Sequence, residues 1–377
     1  MTRSLLALRA PSANRVYTSA AGPLVLAEAR WVLGAHLGSG VAVRERPVGG
    51  MPALEVSLPG GDADAERELP ALLSTLSATY GLFELVGDEP GDPEEPLLRP
   101  LAVPSTLRHR DDLESILKYP GKTNEQFTAL LVNLAAALST RRAGLRDGSL
   151  RLLDPMAGRG TTLNRALRLG LSPVGAEIDR KDVDAYRAFL STYLRTHRYK
   201  HTVAASRLSV RGEQLGTRVD VELAEDKRVQ RETGGQRLTL LGCDTRRLGE
   251  LLPDASIDAL VADLPYGVQH GSRSAGGWDR SPLSVLEEVA PRWRALLRDG
   301  AGVALAVNRH TLGHADASRA LEAAGLRLIS HDGAFRHRVD QSIDRDVLLA
   351  VPTTHPRLEE LTALGAATDT RPQEDPS

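Results

Sequence analysis

The sequence lacks the features that mark several classes of protein. It contains one cysteine, Cys243, in 377 residues, so it can form no intrachain disulfide and no cysteine-based zinc site. No run of apolar residues approaches the roughly 18 that a membrane-spanning helix needs. The formal net charge is −2, so the chain as a whole has no basic excess of the kind that indicates nucleic-acid binding. These absences favour a protein of the reducing cytoplasm, with no membrane partner and no implied metal.

The composition that remains is ordinary for a globular protein, with 41% hydrophobic and 25% charged residues and a length that suggests about two domains. Residues 1–87 are predicted to form a small α+β domain. Apolar alternation predicts its strands and helical spacing its helices, in the order βαββαβ of a ferredoxin-like fold. Residues 88–100 are acidic and rich in proline, which is typical of a linker.

Residues 101–354 are predicted to form a Rossmann-like α/β domain. After a helix over 123–144, capped by Thr123 or Asn124, apolar strands alternate with helices, which is the pattern of a doubly wound parallel sheet. Seven strands are predicted, at 149–155, 172–179, 237–244, 257–263, 301–308, 326–330 and 346–352.

Two further segments belong to this part of the chain. An insertion over 195–237 carries ten Lys and Arg against six Asp and Glu. Its alternating pieces predict a hairpin, which would either contact phosphates or only pack on the sheet. Residues 355–377 are predicted to be a disordered tail after their first turn or two.

A glycine loop follows the first predicted strand of this domain, in the sequence "LLDPMAGRGTTLNRAL" (152–167). Gly158 and Gly160 let the backbone approach a ligand, and the amides of the next helix point at the loop. Asp154, before the loop, suits a cationic ligand better than a pyrophosphate. S-adenosylmethionine, with its ammonium and sulfonium groups, is therefore favoured over a nicotinamide dinucleotide. A tight βα turn without any cofactor is the structural alternative.

Acidic residues also end the next two strands. Glu177 lies about 20 residues past the loop, where a carboxylate can accept both hydroxyls of a ribose. Asp244 ends the third strand, where it could accept a hydrogen bond from an adenine amine. It could equally cap the helical turn that follows, and the two roles are compatible.

The sequence "ADLPYGVQH" (262–270) follows the buried strand over 257–263. Pro265 stops the strand ladder and leaves the carbonyl of Leu264 unpaired, next to the carboxylate of Asp263. Two acceptors beside the flat face of Tyr266 suit a planar base with an exocyclic NH₂ group. Accepted hydrogen bonds stabilise the positive charge that develops as such an amine attacks an electrophilic methyl group. A base from a nucleic-acid fold would have to be swung out to reach this position.

These motifs resemble a known family. "DPMAGRGTT" and "DLPYG" are similar to the signatures of the amino-methyltransferases, which use S-adenosyl-L-methionine. With "YPGKTNEQFTALLVNLA" (119–135) they resemble the THUMP-associated branch that makes N2-methylguanosine in tRNA, over residues 101–352. The resemblance implies a cofactor site of Asp154, Met156, Ala157, Gly158, Gly160, Thr161, Glu177 and Asp244. It implies an amine site of Asp263, Leu264, Pro265 and Tyr266.

The sequence departs from that family in two places. Leu264 stands where the usual signature has its first proline, although the backbone acceptor is kept. Residues 88–118 are too few for a THUMP domain, which grips the acceptor end of tRNA in the family. The leading hypothesis is methyl transfer to an exocyclic base amine of RNA, most simply guanosine N2 in tRNA. The alternatives are methylation of adenine N6 or cytosine N4 in DNA, methylation of a glutamine amide, and a non-catalytic nucleic-acid-binding module.

Overall fold

The computed structural model describes residues 3–12, 15–60, 62–86, 97–102, 105–119, 121–264 and 281–368. The strands are β1 (Arg3–Arg9), β2 (Ala42–Glu45), β3 (Ala53–Leu58), β4 (Thr79–Val86), β5 (Leu97–Leu101), β6 (Leu152–Asp154), β7 (Val174–Ala176), β8 (Lys200–Val210), β9 (Glu213–Ala224), β10 (Gln236–Gly242), β11 (Ile257–Asp263), β12 (Leu297–Asn308), β13 (Leu326–Leu328), β14 (His337–Arg338) and β15 (Asp344–Pro352). The α-helices are α1 (Arg15–Leu37), α2 (Ala63–Thr75), α3 (Asp112–Ser115), α4 (Glu125–Leu138), α5 (Gly144–Asp147), α6 (Thr161–Arg168), α7 (Arg180–Thr196), α8 (Lys227–Thr233), α9 (Pro282–Leu296), α10 (His314–Ala323) and α11 (Leu358–Thr368), and Thr245–Glu250 form a 3-10 helix.

The N-terminal part of the chain folds around an antiparallel sheet in the order β2-β3-β1-β4-β5. The predicted order βαββαβ is confirmed by β1 to β4 with α1 and α2. The predicted linker over 88–100 is wrong at its end, because residues 97–101 form β5 and pair with β4. The edge of β4 has backbone N–H and C=O groups that need hydrogen-bond partners. The backbone of residues 97–101 supplies these partners, and this pairing does not depend on side-chain composition.

The second sheet confirms the Rossmann-like fold class. Its order is β13-β15-β12-β11-β6-β7-β10-β9-β8, and all seven predicted strands are in it. β6, β7, β10, β11 and β12 are parallel, and β15 runs antiparallel to β12. The chain builds outward from β6 in both directions, so the boundary between β6 and β11 is the switch point at which such sheets bind ligands.

The insertion forms the predicted hairpin, β8 and β9, which extends the sheet beyond β10. Its basic residues are partly neutralised within the same edge of the sheet. Arg218 pairs with Asp220 at 2.7 Å, and Arg237 pairs with Glu222 at 3.2 Å. These contacts fit the packing alternative better than a broad phosphate-binding surface.

Helix α4 lies at the centre of the core. Every residue from Phe127 to Leu138 is buried, as expected for a helix that is apolar on all sides. It packs against β11 and β12 on one side and against α1 on the other. The side chain of Asn124 caps it by accepting from the backbone N–H groups of Gln126 and Phe127, at 2.9 and 3.1 Å. The helix is shorter than the predicted 123–144, and a separate turn, α5, follows.

The predicted disordered tail is wrong for residues 358–368, which form α11. Leu361 is fully buried, and a side chain at Gly365 would come within 2.1 Å of the carbonyl oxygen of Ile329. Helix α11 packs on α1, and Leu364 lies against Gly34. This distant contact stabilises a helix whose local sequence gives little sign of it. Residues 369–377 lie outside the described part of the chain.

A buried polar cluster joins the N-terminal sheet domain to α4. Glu28 on α1 is fully buried and accepts from Asn133 Nδ2 at 2.7 Å and from the Ser77 backbone N–H at 2.9 Å. The Ser77 hydroxyl donates to the same carboxylate. Burial raises the pKa of Glu28, although these hydrogen bonds oppose the shift. The folded protein therefore holds a proton on Glu28 at pH values where the unfolded chain has lost it.

Replacing Glu28 by glutamine should change how stability depends on pH. In the wild type the contribution of this carboxyl group to the free energy of unfolding is fully present below its ordinary pKa of 4.5. It is lost as pH rises toward the folded pKa, by about 1.4 kcal/mol per pH unit. The Glu28→Gln variant lacks that slope. Denaturant unfolding from pH 4 to 8 should therefore show the free energy of unfolding of the variant rising relative to that of the wild type as pH increases. Glu359→Gln, at an exposed position of α11, is the control. Parallel curves for wild type and Glu28→Gln would contradict the prediction.

Candidate active site

Two carboxylates stand at the switch point of the sheet. Asp154 ends β6 and Asp263 ends the adjacent strand β11. Asp154 is 3% exposed and accepts from the backbone N–H of Met156 at 3.1 Å and from the hydroxyl of Thr162. Burial, and after it the negative charges of Glu177 and Asp263, raise the pKa of Asp154 to about 7, against the opposing effect of these two hydrogen bonds. The site is therefore prepared for a cation.

The glycine loop packs against β7 and leaves an open side. Gly158 and Gly160 have φ values of 51° and 79°, in the region that favours glycine. A Cβ on Gly160 would lie 2.4 Å from the ring of Tyr186, whereas a Cβ on Gly158 would meet nothing within 4 Å. The backbone N–H of Ala157 donates to the carbonyl of Ala176 at 2.7 Å. Gly160 is thus required by packing, and Gly158 borders free space.

Glu177 follows β7 and faces the loop. Its carboxylate accepts from the backbone N–H groups of Gly158 at 2.8 Å and Asp179 at 2.7 Å. Burial raises the pKa of Glu177, and the two backbone donors oppose the shift. Because each carboxylate oxygen can accept more than one hydrogen bond, the hydroxyl groups of a ribose could still be accommodated.

Asp244 follows β10 and caps the 3-10 helix. It accepts from the backbone N–H of Arg246 at 2.9 Å and from Nε of the same residue at 2.8 Å. Burial raises its pKa, but the hydrogen bonds from Arg246 outweigh burial and leave the pKa below its usual value. Arg246 also reaches Glu288 at 3.0 Å. The capping role is confirmed, while the adenine contact stays a prediction.

The carboxylate of Asp263 is held from two sides. The hydroxyl of Thr123 donates to its Oδ2 at 2.7 Å, and the guanidinium of Arg345 lies 3.6 Å from the same oxygen. Arg345 is itself stacked over the ring of Phe127, 5.0 Å from its centroid. Leu264 is buried, and its N–H donates to the carbonyl of Ala306 at 3.0 Å, so its side chain belongs to the core. Pro265 and Tyr266, and the rest of 265–280, lie outside the described residues.

Residues 121–333 match the family described as UPF0020, RMKL-like, methyltransferase domain. The match covers more than half of the chain. The chain belongs to this family. The prediction of a methyltransferase is thereby confirmed, whereas the branch that acts on guanosine N2 of tRNA stays a prediction. No curated protein matches the chain in sequence.

Solved structures that resemble the chain include other methyltransferases. A TehB-like SAM-dependent methyltransferase from Corynebacterium glutamicum is 12% identical, with 56% of this chain and 86% of that chain covered and a TM-score of 0.29. The 1,6-didemethyltoxoflavin-N1-methyltransferase from Burkholderia thailandensis, with S-adenosylhomocysteine bound, is 14% identical, with 58% and 76% covered and a TM-score of 0.33. A Streptococcus pyogenes protein named as conserved and hypothetical is 16% identical, with 54% and 87% covered and a TM-score of 0.30.

The site of this RMKL-like domain contains residues that sequence reasoning missed. Arg345 contacts Asp263 from β15, and no local pattern could show that. Tyr119 donates to or accepts from the Thr161 hydroxyl at 3.0 Å, and Arg159 lies 5.0 Å from the centre of the Tyr119 ring. The sequence indicated Thr123 only as a possible cap of α4, and the structure shows that Asn124 is the cap. The "YPGKT" segment was the available signal for Tyr119 and Thr123.

Metal-binding groups and membrane-spanning helices were sought among the described residues. Among them, no group of three or more His, Cys, Asp or Glu side chains could hold a metal ion. None of the described helices is both long enough and apolar enough to cross a membrane.

Proposed function

We propose that the chain transfers a methyl group from S-adenosyl-L-methionine to an exocyclic base amine of RNA, with guanosine N2 in tRNA as the first candidate. One observation carries the proposal. A carboxylate with a strongly raised pKa, Asp154, lies beside a second carboxylate, Asp263, which Thr123 and Arg345 hold in a fixed position. The first suits a cationic cofactor and the second suits an NH₂ group that becomes positively charged.

The residues around the glycine loop fit the cofactor. When bound, S-adenosyl-L-methionine supplies an electrophilic methyl group on a sulfonium. Asp154 and the nearby charges of Glu177 and Asp263 would compensate its positive charges, which relieves their mutual repulsion. The open space beside Gly158 admits the ligand to the backbone, and Glu177 would accept from its ribose. Met156, Ala157, Gly160 and Thr161 would shape the loop, and Asp244 would lie on the adenine side.

Asp263 would act on the target amine. Its carboxylate, together with the carbonyl of Leu264, would accept hydrogen bonds from the NH₂ group and stabilise its developing charge. Thr123 and Arg345 would serve as positioning residues, because they hold Asp263 Oδ2 and so define the orientation of the carboxylate. Pro265 and Tyr266 would complete the amine site with a rigid turn and a stacking face.

The N-terminal domain supports a polymeric substrate. Its segment 10–12 contacts the start of α4, where Asn124 Nδ2 donates to the hydroxyl of Ser12 at 3.1 Å and Gln126 Nε2 donates to the carbonyl of Pro11 at 3.4 Å. Asn124 is the immediate neighbour of Thr123, which contacts Asp263. A second domain therefore adjoins the amine site, where an RNA substrate could contact it.

The test is transfer of a labelled methyl group from S-adenosyl-L-methionine into separate pools of total tRNA, DNA and protein. We expect incorporation into tRNA, and digestion to nucleosides should identify N2-methylguanosine. Label confined to DNA, as the deoxyribonucleosides of N6-methyladenine or N4-methylcytosine, would replace the proposal with DNA methylation. Cofactor binding without transfer to any pool would favour a non-catalytic binding module.

Replacing Thr123 by valine should lower kcat about tenfold and leave the cofactor dissociation constant unchanged. Valine keeps the shape of the side chain but removes the hydrogen bond to Asp263 Oδ2, and a hydrogen bond to a charged group contributes about 1.5–3 kcal/mol. Thr362→Val, at an exposed position on α11, is the matched control. Rescue by Thr123→Ser, which restores the hydroxyl, would separate positioning from packing. A variant that loses cofactor affinity along with kcat would disprove this role.

A further inference from the structure

A polar cleft lies near the amine site, where β14 pairs with β15 on the far side of β12 from β11. It has a volume of about 380 Å³ and is called the β14 cleft below. It is lined by His310, Arg336, His337, Arg338, Gln341 and Asp344. None of these residues belongs to the cofactor site or to the amine site described above.

The β14 cleft is connected to Asp263 through two neighbouring strands. β14 pairs antiparallel with β15, and His337 lies directly opposite Arg345 in that ladder. Arg345 in turn reaches Asp263 Oδ2 at 3.6 Å. Opposed residues in adjacent antiparallel strands have Cα atoms about 5 Å apart. A nucleotide next to a base held at Asp263 would therefore lie at the mouth of this cleft.

The exposed charge of the cleft is positive. Asp344 is buried and is shared by Arg336 at 3.0 Å and Arg309 at 3.7 Å. Asp340, near the cleft, accepts from the hydroxyl of Ser342 at 2.8 Å and from two backbone N–H groups of its own turn. The charge of Asp344 is thus balanced by arginine, whereas Asp340, which does not line the cleft, stays ionised and is held by neutral donors. The guanidinium of Arg336 remains largely exposed, with 62% of its side chain accessible.

Arg338 is the residue best placed to bind a ligand. Its side chain is exposed, and its Nε donates to the carbonyl of Asp340 at 3.0 Å. Within the described ranges, no carboxylate lies at ion-pair distance from this guanidinium, although its positive charge helps to lower the pKa of the nearby Asp340 carboxyl. That hydrogen bond fixes the base of the planar group and leaves its other N–H donors directed outward, a fork that suits phosphate oxygens.

The histidines and Gln341 add shape and neutral hydrogen-bonding groups. Burial lowers the pKa of His337 to about 4, so this ring is neutral near pH 7. His310 and Gln341 are exposed at the cleft. Phosphate contacts in nucleic-acid complexes combine such neutral groups with arginine, and they fix the position of the chain rather than its sequence.

We infer that the β14 cleft binds a backbone phosphate of the nucleotide that flanks the target base, with Arg338 as its main contact and Arg336 and Gln341 beside it. The inference rests on the proposed function, because it takes nucleic acid as the substrate. The β14 cleft would then bind RNA within the methyltransferase domain itself. The hairpin at the opposite edge of the sheet is separated from β11 by β6, β7 and β10.

The test compares Arg338→Ala and Arg338→Glu with wild-type protein in tRNA binding at several salt concentrations. Removing one phosphate contact should weaken binding about three- to tenfold and reduce the slope of log K against log salt by about 1. KM for tRNA should rise, while kcat at saturating tRNA and cofactor affinity should stay within twofold. Arg67→Glu is the matched control. Arg67 has 78% of its side chain exposed on α2, next to Glu68, which pairs with Arg146 at the end of the sheet remote from the site.

The two proposals fail in different ways. Wild-type protein that methylates tRNA while Arg338→Glu behaves like Arg67→Glu would overturn the cleft proposal and leave the proposed function standing. Wild-type protein that binds cofactor but methylates no RNA would overturn the proposed function and the cleft proposal with it. A reduced salt slope for Arg338→Ala, with unchanged kcat, would support both.

Discussion

Asp263→Ala should lower kcat for methyl transfer by about 10²- to 10³-fold, the range found when one donor or acceptor that stabilises transition-state charge is removed. The carboxylate would accept from the attacking amine, whose positive charge grows as the new N–C bond forms. Cofactor affinity should fall only a few-fold. Asp263 does contribute negative charge around Asp154, but its effect on the Asp154 pKa is smaller than that of Glu177, and Asp154 itself would remain to pair with the cation.

Single-turnover transfer of labelled methyl into tRNA, with cofactor binding by calorimetry, measures the two effects separately. Asp263→Asn keeps an acceptor oxygen and should retain more activity than Asp263→Ala. Asp184→Ala on α7, at a half-exposed carboxylate, is the control for removing a negative charge from this domain. Unfolding curves must accompany the assays, because Arg345 is nearly buried and loses its ion pair with Asp263 in the alanine variant. Equal losses of cofactor binding and turnover would show that the roles are assigned wrongly.

The position of Asp263 next to Asp154 was predictable from the sequence for a physical reason. Two apolar runs predicted buried parallel strands, and each ended in an aspartate. Parallel strands place their carboxyl ends on one edge of the sheet, so both side chains had to meet there. Asp244 was also open to local reasoning, because its partner Arg246 is two residues away and the capping alternative was already visible.

Contacts between distant segments were not predictable in the same way. Arg345 reaches Asp263 because β15 pairs beside β12, and strand order is a property of the whole fold. The helix over 358–368 was missed for a related reason. Its single apolar face is stabilised by α1, which lies some 320 residues earlier in the chain, as in the bond from Arg357 to the carbonyl of Ala35. Local composition alone suggested a tail there.

Affinity for S-adenosyl-L-methionine should fall as pH is lowered through about 7. The Asp154 pKa is raised to about 7, first by burial and then by the charges of Glu177 and Asp263. Above that pH the carboxylate is ionised and can pair with a cation, whereas below it the group is protonated and neutral. The dissociation constant should therefore rise by up to tenfold per pH unit below 7, because one proton competes with the ligand.

Asp154→Asn separates this effect from general acid sensitivity. Asparagine keeps an oxygen that can accept from the Met156 N–H, so the loop should hold its shape. Asparagine carries no charge at any pH, so cofactor affinity should drop about 10- to 100-fold at pH 8, which corresponds to the loss of one charge-assisted hydrogen bond. The affinity of the variant should then vary little down to pH 6.

Calorimetry of the wild type in two buffers of different ionisation enthalpy should show proton release on binding near pH 7. Glu177→Gln should lose affinity and keep the pH slope, because Asp154 remains, but its midpoint should move to lower pH, because the negative charge of Glu177 no longer raises the Asp154 pKa. A wild-type affinity that is flat between pH 8 and 5.5 would mean that Asp154 does not face the cation, and the assignment of the cofactor site would fail with it.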